Sequence, residues 1–386
     1  MLTRRSFLAA TGMSGAISLL GFPNMAFAKT NGERRFVFII QRGAADGLNI
    51  VAPTGDPAYE ALRGEFAPEL ASGAKLNSFF TLHPALAETA KMYGSREALF
   101  VHAVASPYRD RSHFDGQNVL ESGGSAAYRL KDGWLNRLLD LLPASEARAL
   151  ALSSTVPMAL RGAHQVSSYA ITQLAKPSDD LLARVGALYE SDHQLHGLWT
   201  AAMETREKAG EPMRASGGGQ KGSAAGTLAA RMLLGDGARI AMIETTGWDT
   251  HSGQRGRLAA QLRDLDGMLA ALKSGLGAEW SNTLVVVATE FGRTAKPNGT
   301  GGTDHGQASA AMLIGGAVAG GKVIADWPGL ADSMLYEGRD LKPTADLDAL
   351  IAGAVSEHYG IEPRRAMARL FPDSRGEAFR QSIVLT

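Results

Sequence analysis

Runs of consecutive apolar residues recur along the 386-residue chain, separated by stretches with helical spacing. Phe36-Val37-Phe38-Ile39-Ile40 is continuous rather than alternating, the pattern of a central parallel strand covered on both faces. Similar runs at Leu99–Val104, Leu150–Leu152, 239–244, 284–289, Ala310–Ile314 and Lys322–Ile324 predict further strands. Between them, Ala85–Tyr93, Trp134–Leu142, Thr227–Leu234, 256–274 and Asp346–Tyr359 place apolar residues at helical intervals. Strands alternating with helices predict an α/β fold, three-layered, with a mostly parallel central sheet flanked by helices. The middle of the chain differs. One or two helices are expected over 178–211, followed by a Gly/Ser/Ala-rich stretch at 214–226 that includes Gly217-Gly218-Gly219. That pattern predicts a helical cap inserted at about 178–226 and ending in a loop, within one domain spanning 29–386.

Composition narrows the chemistry. Lys+Arg and Asp+Glu both total 39, so the formal charge is zero and nothing calls for nucleic acid as a partner. The chain has no cysteine, which excludes disulfides, zinc–thiolate sites, cysteine nucleophiles and a cysteine-derived formylglycine. The N-terminus carries Thr3-Arg4-Arg5-Ser6-Phe7-Leu8, an apolar run to about Phe22, and the small-residue pattern Ala26-Phe27-Ala28. Together these predict a twin-arginine export signal over residues 1–28, cleaved after Ala28. The apolar run is short for a membrane span, so none is expected after cleavage. The expected location is the periplasm or beyond, reached folded through the twin-arginine machinery. Export in the folded state suits a protein loaded with a cofactor beforehand.

Carboxylates and imidazoles gather just after predicted strands. Asp249 and His251 follow the run at 239–244, and an Asp-x-His spacing in a loop can turn both side chains toward one ion. The alternative is that Asp249 caps the next helix while His251 is simply exposed. Glu290 ends the run at 284–289, where a carboxylate is costly to bury unless paired or metal-bound. Arg293 either neutralises Glu290 or clamps an anionic substrate group, for which its planar fork is suited. Asp304-His305 lies among glycines that let the backbone approach closely. Asp46 follows the first strand and is either a turn residue or a contributor to the same crevice. Ser112, in Ser112-His113-Phe114-Asp115, is either a plain N-cap or a nucleophile at a helix N-terminus that favours anions. Side chains beyond the carboxyl ends of parallel strands converge on one crevice. A mixed Asp/Glu/His set there suits a divalent cation, zinc first, with manganese, magnesium or calcium as alternatives. Asp46, Asp249, His251, Glu290, Asp304 and His305 are the candidate ligands, and Ser112 and Arg293 the candidate catalytic residues.

These motifs also carry a resemblance. Arg42-Gly43-Ala44-Ala45-Asp46-Gly47-Leu48-Asn49, Ser106-Pro107-Tyr108 with Ser112-His113-Phe114-Asp115, Gly247-Trp248-Asp249-Thr250-His251, and Glu290-Phe291-Gly292-Arg293-Thr294 with Gly301-Gly302-Thr303-Asp304-His305-Gly306 together resemble the bacterial family called domain of unknown function 1501. That family resembles a branch of the alkaline phosphatase and sulfatase superfamily. The resemblance implies a largely parallel central sheet between helices, a metal ligand at Asp46 and a nucleophile at Ser112. It also implies ligands at Asp249 and His251 and a final histidine at His305. Glu290-Phe291 stands where that superfamily has Asp-His, which leaves a histidine ligand missing at that position. The function it implies is an exported metal-dependent hydrolase of phosphate or sulfate esters, with a small anionic ester as substrate. The competing expectation is a non-catalytic periplasmic binding or scaffold protein that meets an envelope partner.

Overall fold

The apolar runs become strands of one nine-stranded sheet in the computed structural model, which describes residues 34–170, 179–209, 220–374, 376–379 and 381–385. The twin-arginine segment and residues 178 and 210–219 of the expected cap lie outside the described residues. The strands are β1 (Arg35–Gln41), β2 (Val51–Ala52), β3 (Ala74–Lys75), β4 (Thr81–Leu82), β5 (Ala98–Ala105), β6 (Ala149–Leu152), β7 (Ser167–Ser168), β8 (Ile240–Thr245), β9 (Thr283–Ala288), β10 (Ser309–Ile314), β11 (Lys322–Ile324) and β12 (Ala345–Asp346). The large sheet runs β11-β5-β10-β9-β1-β8-β6-β7, with β12 also on β5, while β2, β4 and β3 form a small separate sheet. Only β10 opposes its neighbours β5 and β9; every other pairing in the large sheet is parallel. The expected mostly parallel, three-layer sheet is what forms.

The continuous runs have a simple cause. In β1, Phe36, Phe38 and Ile40 join one core with Trp134, Leu350 and Phe371, while Val37 and Ile39 join the other with Leu262, Leu269 and Trp280. Strand β9 divides the same way, Leu284 and Val286 to the first side and Val285 and Val287 to the second. Burying each such side chain contributes ~1.5–3 kcal/mol, so both faces must be apolar and no alternation remains to be seen.

The helices expected at 178–211 form as Asp179–Tyr189 and His193–Ala209. The loop expected through Gly226 is shorter than predicted: a helix already runs from Gln220 to Leu233. Its glycines have a packing role. A Cβ at Gly222 would lie 1.8 Å from the Asp264 carbonyl oxygen, and one at Gly226 would lie 2.1 Å from that of Met268. Glycines four apart occupy one helix face, so this helix presses its backbone against the long helix Gln254–Leu276. Any side chain at those two positions would force the helices apart.

Candidate metal centre

Strands β9, β1 and β8 are adjacent and run in one direction, so their exit loops meet at one rim of the sheet. The main chain ties these loops together. Arg42 N–H donates to the Thr245 carbonyl at 2.8 Å, and Gly43 N–H donates to Glu290 Oε1 at 2.8 Å. Gly43 has φ +119°, and a Cβ there would come within 2.5 Å of the Asp249 nitrogen. Only glycine lets the first loop pass so close to the second.

Asp249 sits at the middle of three imidazoles. Its Oδ1 lies 3.0 Å from His251 Nε2 and 3.2 Å from His305 Nε2, and its Oδ2 lies 3.4 Å from His113 Nε2. His251 Nε2 and His305 Nε2 are 2.9 Å apart. One ligand atom from each of His113, Asp249 and His305 falls within 4.8 Å of the others. The opposite nitrogen of each ring meets an acceptor: His113 Nδ1 lies 2.8 Å from Glu290 Oε1, His251 Nδ1 3.0 Å from Asp304 Oδ1, and His305 Nδ1 2.9 Å from the Arg111 carbonyl. Carboxylate and carbonyl oxygens only accept, so each Nδ1 has a partner for a proton, and a ring protonated there would offer its Nε2 lone pair to a cation beside Asp249. His113 Nε2 is buried without a hydrogen-bond partner among the described residues. A divalent cation among these ring nitrogens and carboxylate oxygens would be coordinated by them in place of their contacts with one another. The donor set, imidazole nitrogens plus one carboxylate with outer acceptors on Nδ1, fits a divalent cation.

The supporting residues fix these rings. Glu290 is fully buried and also accepts from Gln117 Nε2 at 3.0 Å and Thr289 Oγ1 at 3.1 Å. Burial pushes its carboxyl upward, but the hydrogen bonds, that from His113 foremost, hold it below the ordinary value. The same Glu290 bond raises the pKa of His113. Phe291 stacks on the His113 ring at 5.0 Å and 22°, and His305 meets that ring edge-on at 4.3 Å. Burial pushes Asp249 upward too, yet Arg293 beside it leaves its pKa lowered. Asp304 is held low by its hydrogen bond from Asn298, at 3.1 Å, and then by His251.

The other expected site residues lie as follows. Arg293 is buried and donates to Asp249 Oδ1 at 2.6 Å and Thr303 Oγ1 at 3.1 Å, with a further bond to the Thr303 carbonyl. Asp46 is buried on the same rim but pairs with Arg63 and accepts from Gln254 Nε2 at 2.5 Å. Gln254 Oε1 in turn accepts from the Thr250 and Thr303 hydroxyls at 2.8 and 2.6 Å. Ser112 occupies the N-cap of the helix His113–Ser122 without a side-chain capping bond, and its N–H donates to Tyr108 Oη at 3.1 Å. The rim therefore brings together Asp249, His251, Asp304 and His305, with Glu290 behind them, and keeps Asp46 in a separate ion pair. His113 is the ligand candidate that sequence reasoning passed over. The tetrad Ser112-His113-Phe114-Asp115 drew attention for its hydroxyl, whereas its imidazole reaches the cluster. It lies against Phe291, where the resemblance had left a histidine missing.

The model of a family described as "Protein of unknown function (DUF1501)" matches residues 33–369. The chain belongs to that family. A search of curated proteins finds no match. Among solved structures the chain is similar to the C-terminal periplasmic domain of EcEptC from Escherichia coli in complex with zinc, with 9% identity over 74% of each chain and a TM-score of 0.35. It is also similar to phosphonate monoester hydrolase of Agrobacterium radiobacter, with 11% identity over 76% of this chain and 70% of that one and a TM-score of 0.34. Similarities of that size bear on neither ligand nor reaction.

Proposed function

We propose that the protein is an exported metal-dependent hydrolase of phosphate or sulfate esters. One observation carries the reading: the Nε2 atoms of His113, His251 and His305 converge on Asp249 while every Nδ1 is held by an acceptor. His113, Asp249, His251 and His305 would hold the cation. Glu290, Asp304 and the Arg111 carbonyl act one layer out, as partners of the ring N–H groups. When bound, the cation polarises an ester oxygen and lowers the pKa of a hydroxyl or water. Arg293 keeps Asp249 ionised and aimed into the cluster, since its guanidinium is engaged by Asp249 and Thr303. Ser112, whose hydroxyl is left free of a capping role next to His113, supplies or positions the attacking hydroxyl. The helix N-terminus at Ser112 favours the anionic group of the substrate. No helix among the described residues is long and apolar enough to cross a membrane. The export-signal pattern over residues 1–28 is what supports a periplasmic or extracellular location, reached through the twin-arginine machinery.

The test is elemental analysis of protein exported through its native route, followed by a panel of phosphate and sulfate esters. Zinc or another divalent metal at about one equivalent is expected, lost in the His251→Ala/His305→Ala double variant. Protein that holds no metal, and hydrolyses no ester after metal is added, would sink the proposal.

A further inference from the structure

Of the three inward-facing imidazoles, two have their Nδ1 held by carboxylate side chains, and the third, His305, by the main-chain carbonyl of Arg111. A main-chain acceptor has no rotamer to adjust, so its direction depends on what holds the peptide. Arg111 adopts φ +59°, the left-handed region that non-glycine residues rarely occupy. Such a conformation persists only where the surroundings fix it, and here the guanidinium is fixed. Its Nε and Nη2 donate to Asp340 Oδ2 at 3.1 and 2.7 Å, and Nη2 also reaches Glu337 Oε2 at 2.6 Å. Asp340 is fully buried.

The anchor returns to the centre through the backbone. Asp340 forms a bridge with Thr294, and the adjacent Arg293 forms one with His305. Thr294 N–H donates to the Asp304 carbonyl at 2.8 Å, and Ala295 N–H to the Arg339 carbonyl at 3.0 Å. Arg339 also donates to the His305 carbonyl. A closed circuit results, running from the His305 ring to the Arg111 peptide, through its guanidinium to Asp340, across Thr294 and back to His305. Gly306 permits the close approach on which the circuit depends, because a Cβ there would lie 2.4 Å from the Arg293 carbonyl carbon.

We propose that Arg111 is a positioning residue for the metal centre, Asp340 holding its guanidinium so that its carbonyl keeps the His305 proton on Nδ1 and presents Nε2 to the cation. This rests on the metal reading above, but the contact between His305 Nδ1 and the Arg111 carbonyl is present without metal. Loss of an outer partner typically weakens metal binding ~10–100-fold, and Arg111 fills that role through its backbone.

The test separates conformation from anchoring. Arg111→Gly keeps the left-handed backbone comfortable and removes the anchor; Asp340→Asn keeps the shape and weakens it; Arg111→Lys restores a charge without the fork. Two readouts are taken: the ¹⁵N NMR tautomer of His305 in metal-free protein at a pH where the ring is neutral, and zinc affinity by chelator competition. Expected are an Nδ1–H ring in the wild type, a mixed-tautomer ring in R111G and D340N, zinc binding weakened ~10–100-fold in both, and partial recovery in R111K. If R111G fails to fold, D340N and R111K decide by the same measurements. An unchanged His305 tautomer with wild-type zinc affinity in the folded variants overturns the proposal. If the wild type itself binds no zinc, the metal reading fails instead, and the tautomer comparison still decides the role of Arg111.

Discussion

Two populations of histidine occupy this molecule, and their ring nitrogens face opposite ways. In the interior, His102 donates from Nε2 to the Val51 carbonyl at 2.8 Å and accepts at Nδ1 from the Ala103 N–H at 2.8 Å. His358 likewise places Nε2 3.0 Å from the Arg35 carbonyl. On the rim, His113, His251 and His305 give Nδ1 to acceptors and leave Nε2 facing Asp249. The two groups contain the same residue type, within a strand and a helix for His102 and His358, and at a helix start or in loops for the rim three. The difference lies in which nitrogen the neighbours claim, because that choice alone decides whether a lone pair remains for a ligand. The carboxylates on the rim divide in parallel fashion. The donors around Asp46 come from Arg63 and Gln254, whereas Asp249 shares its oxygens between Arg293 and three imidazoles.

Acidification should separate the two histidine groups most strongly. Burial pushes His83 and His102 down to about 4 and His358 to about 3, against an ordinary value of 6.5. Between those values the unfolded chain binds protons that the folded chain refuses, so stability is full above pH 6.5 and falls as the pH drops toward about 4. Each tenfold difference in proton affinity between the folded and unfolded chain is worth about 1.4 kcal/mol, so the three rings together contribute several kcal/mol. Urea unfolding at pH 7, 5.5 and 4 measures this, and His102→Gln should flatten the dependence. A flat profile in the wild type would contradict the neutral interior rings.

Arg63→Ala comes next. It strands the buried Asp46 carboxylate and should cost ~3–5 kcal/mol of stability. Zinc affinity should change little in the protein that remains folded, since Asp46 stands outside the centre. A large loss of zinc affinity with unchanged stability would erase the distinction between the two carboxylates. His305→Ala should do the reverse, weakening zinc binding by more than ~100-fold while altering the melting temperature little in metal-free protein. Smallest is Glu290→Gln, which preserves shape but offers His113 a weaker acceptor. Chelator competition should show a loss of ~10–100-fold, and equal affinity would mean that Glu290 does not orient that ring.

The sheet and its layers were legible because the centres of parallel strands covered on both faces must be apolar, as Phe36–Ile40, Ile240–Ile243 and Leu284–Ala288 are within β1, β8 and β9. The reversed direction of β10 was not legible, since a buried run reads the same in either direction. Nor was the first half of the helix Gln220–Leu233, ahead of the expected Thr227–Leu234, where Gly222 and Gly226 suggest a loop until the facing helix shows why they must be small. Within the site, Asp249, His251, Asp304 and His305 stood out through their spacing in glycine-rich loops. The linear chain thus determined which groups were available at the strand ends, because composition and local pattern belong to the chain itself. Their roles came from distant partners: Arg63 reaching Asp46, Glu290 turning His113, and Arg111 turning His305. Only the tertiary structure decided those pairings, since the side of an imidazole that keeps its lone pair depends on which acceptor the fold brings to the other side.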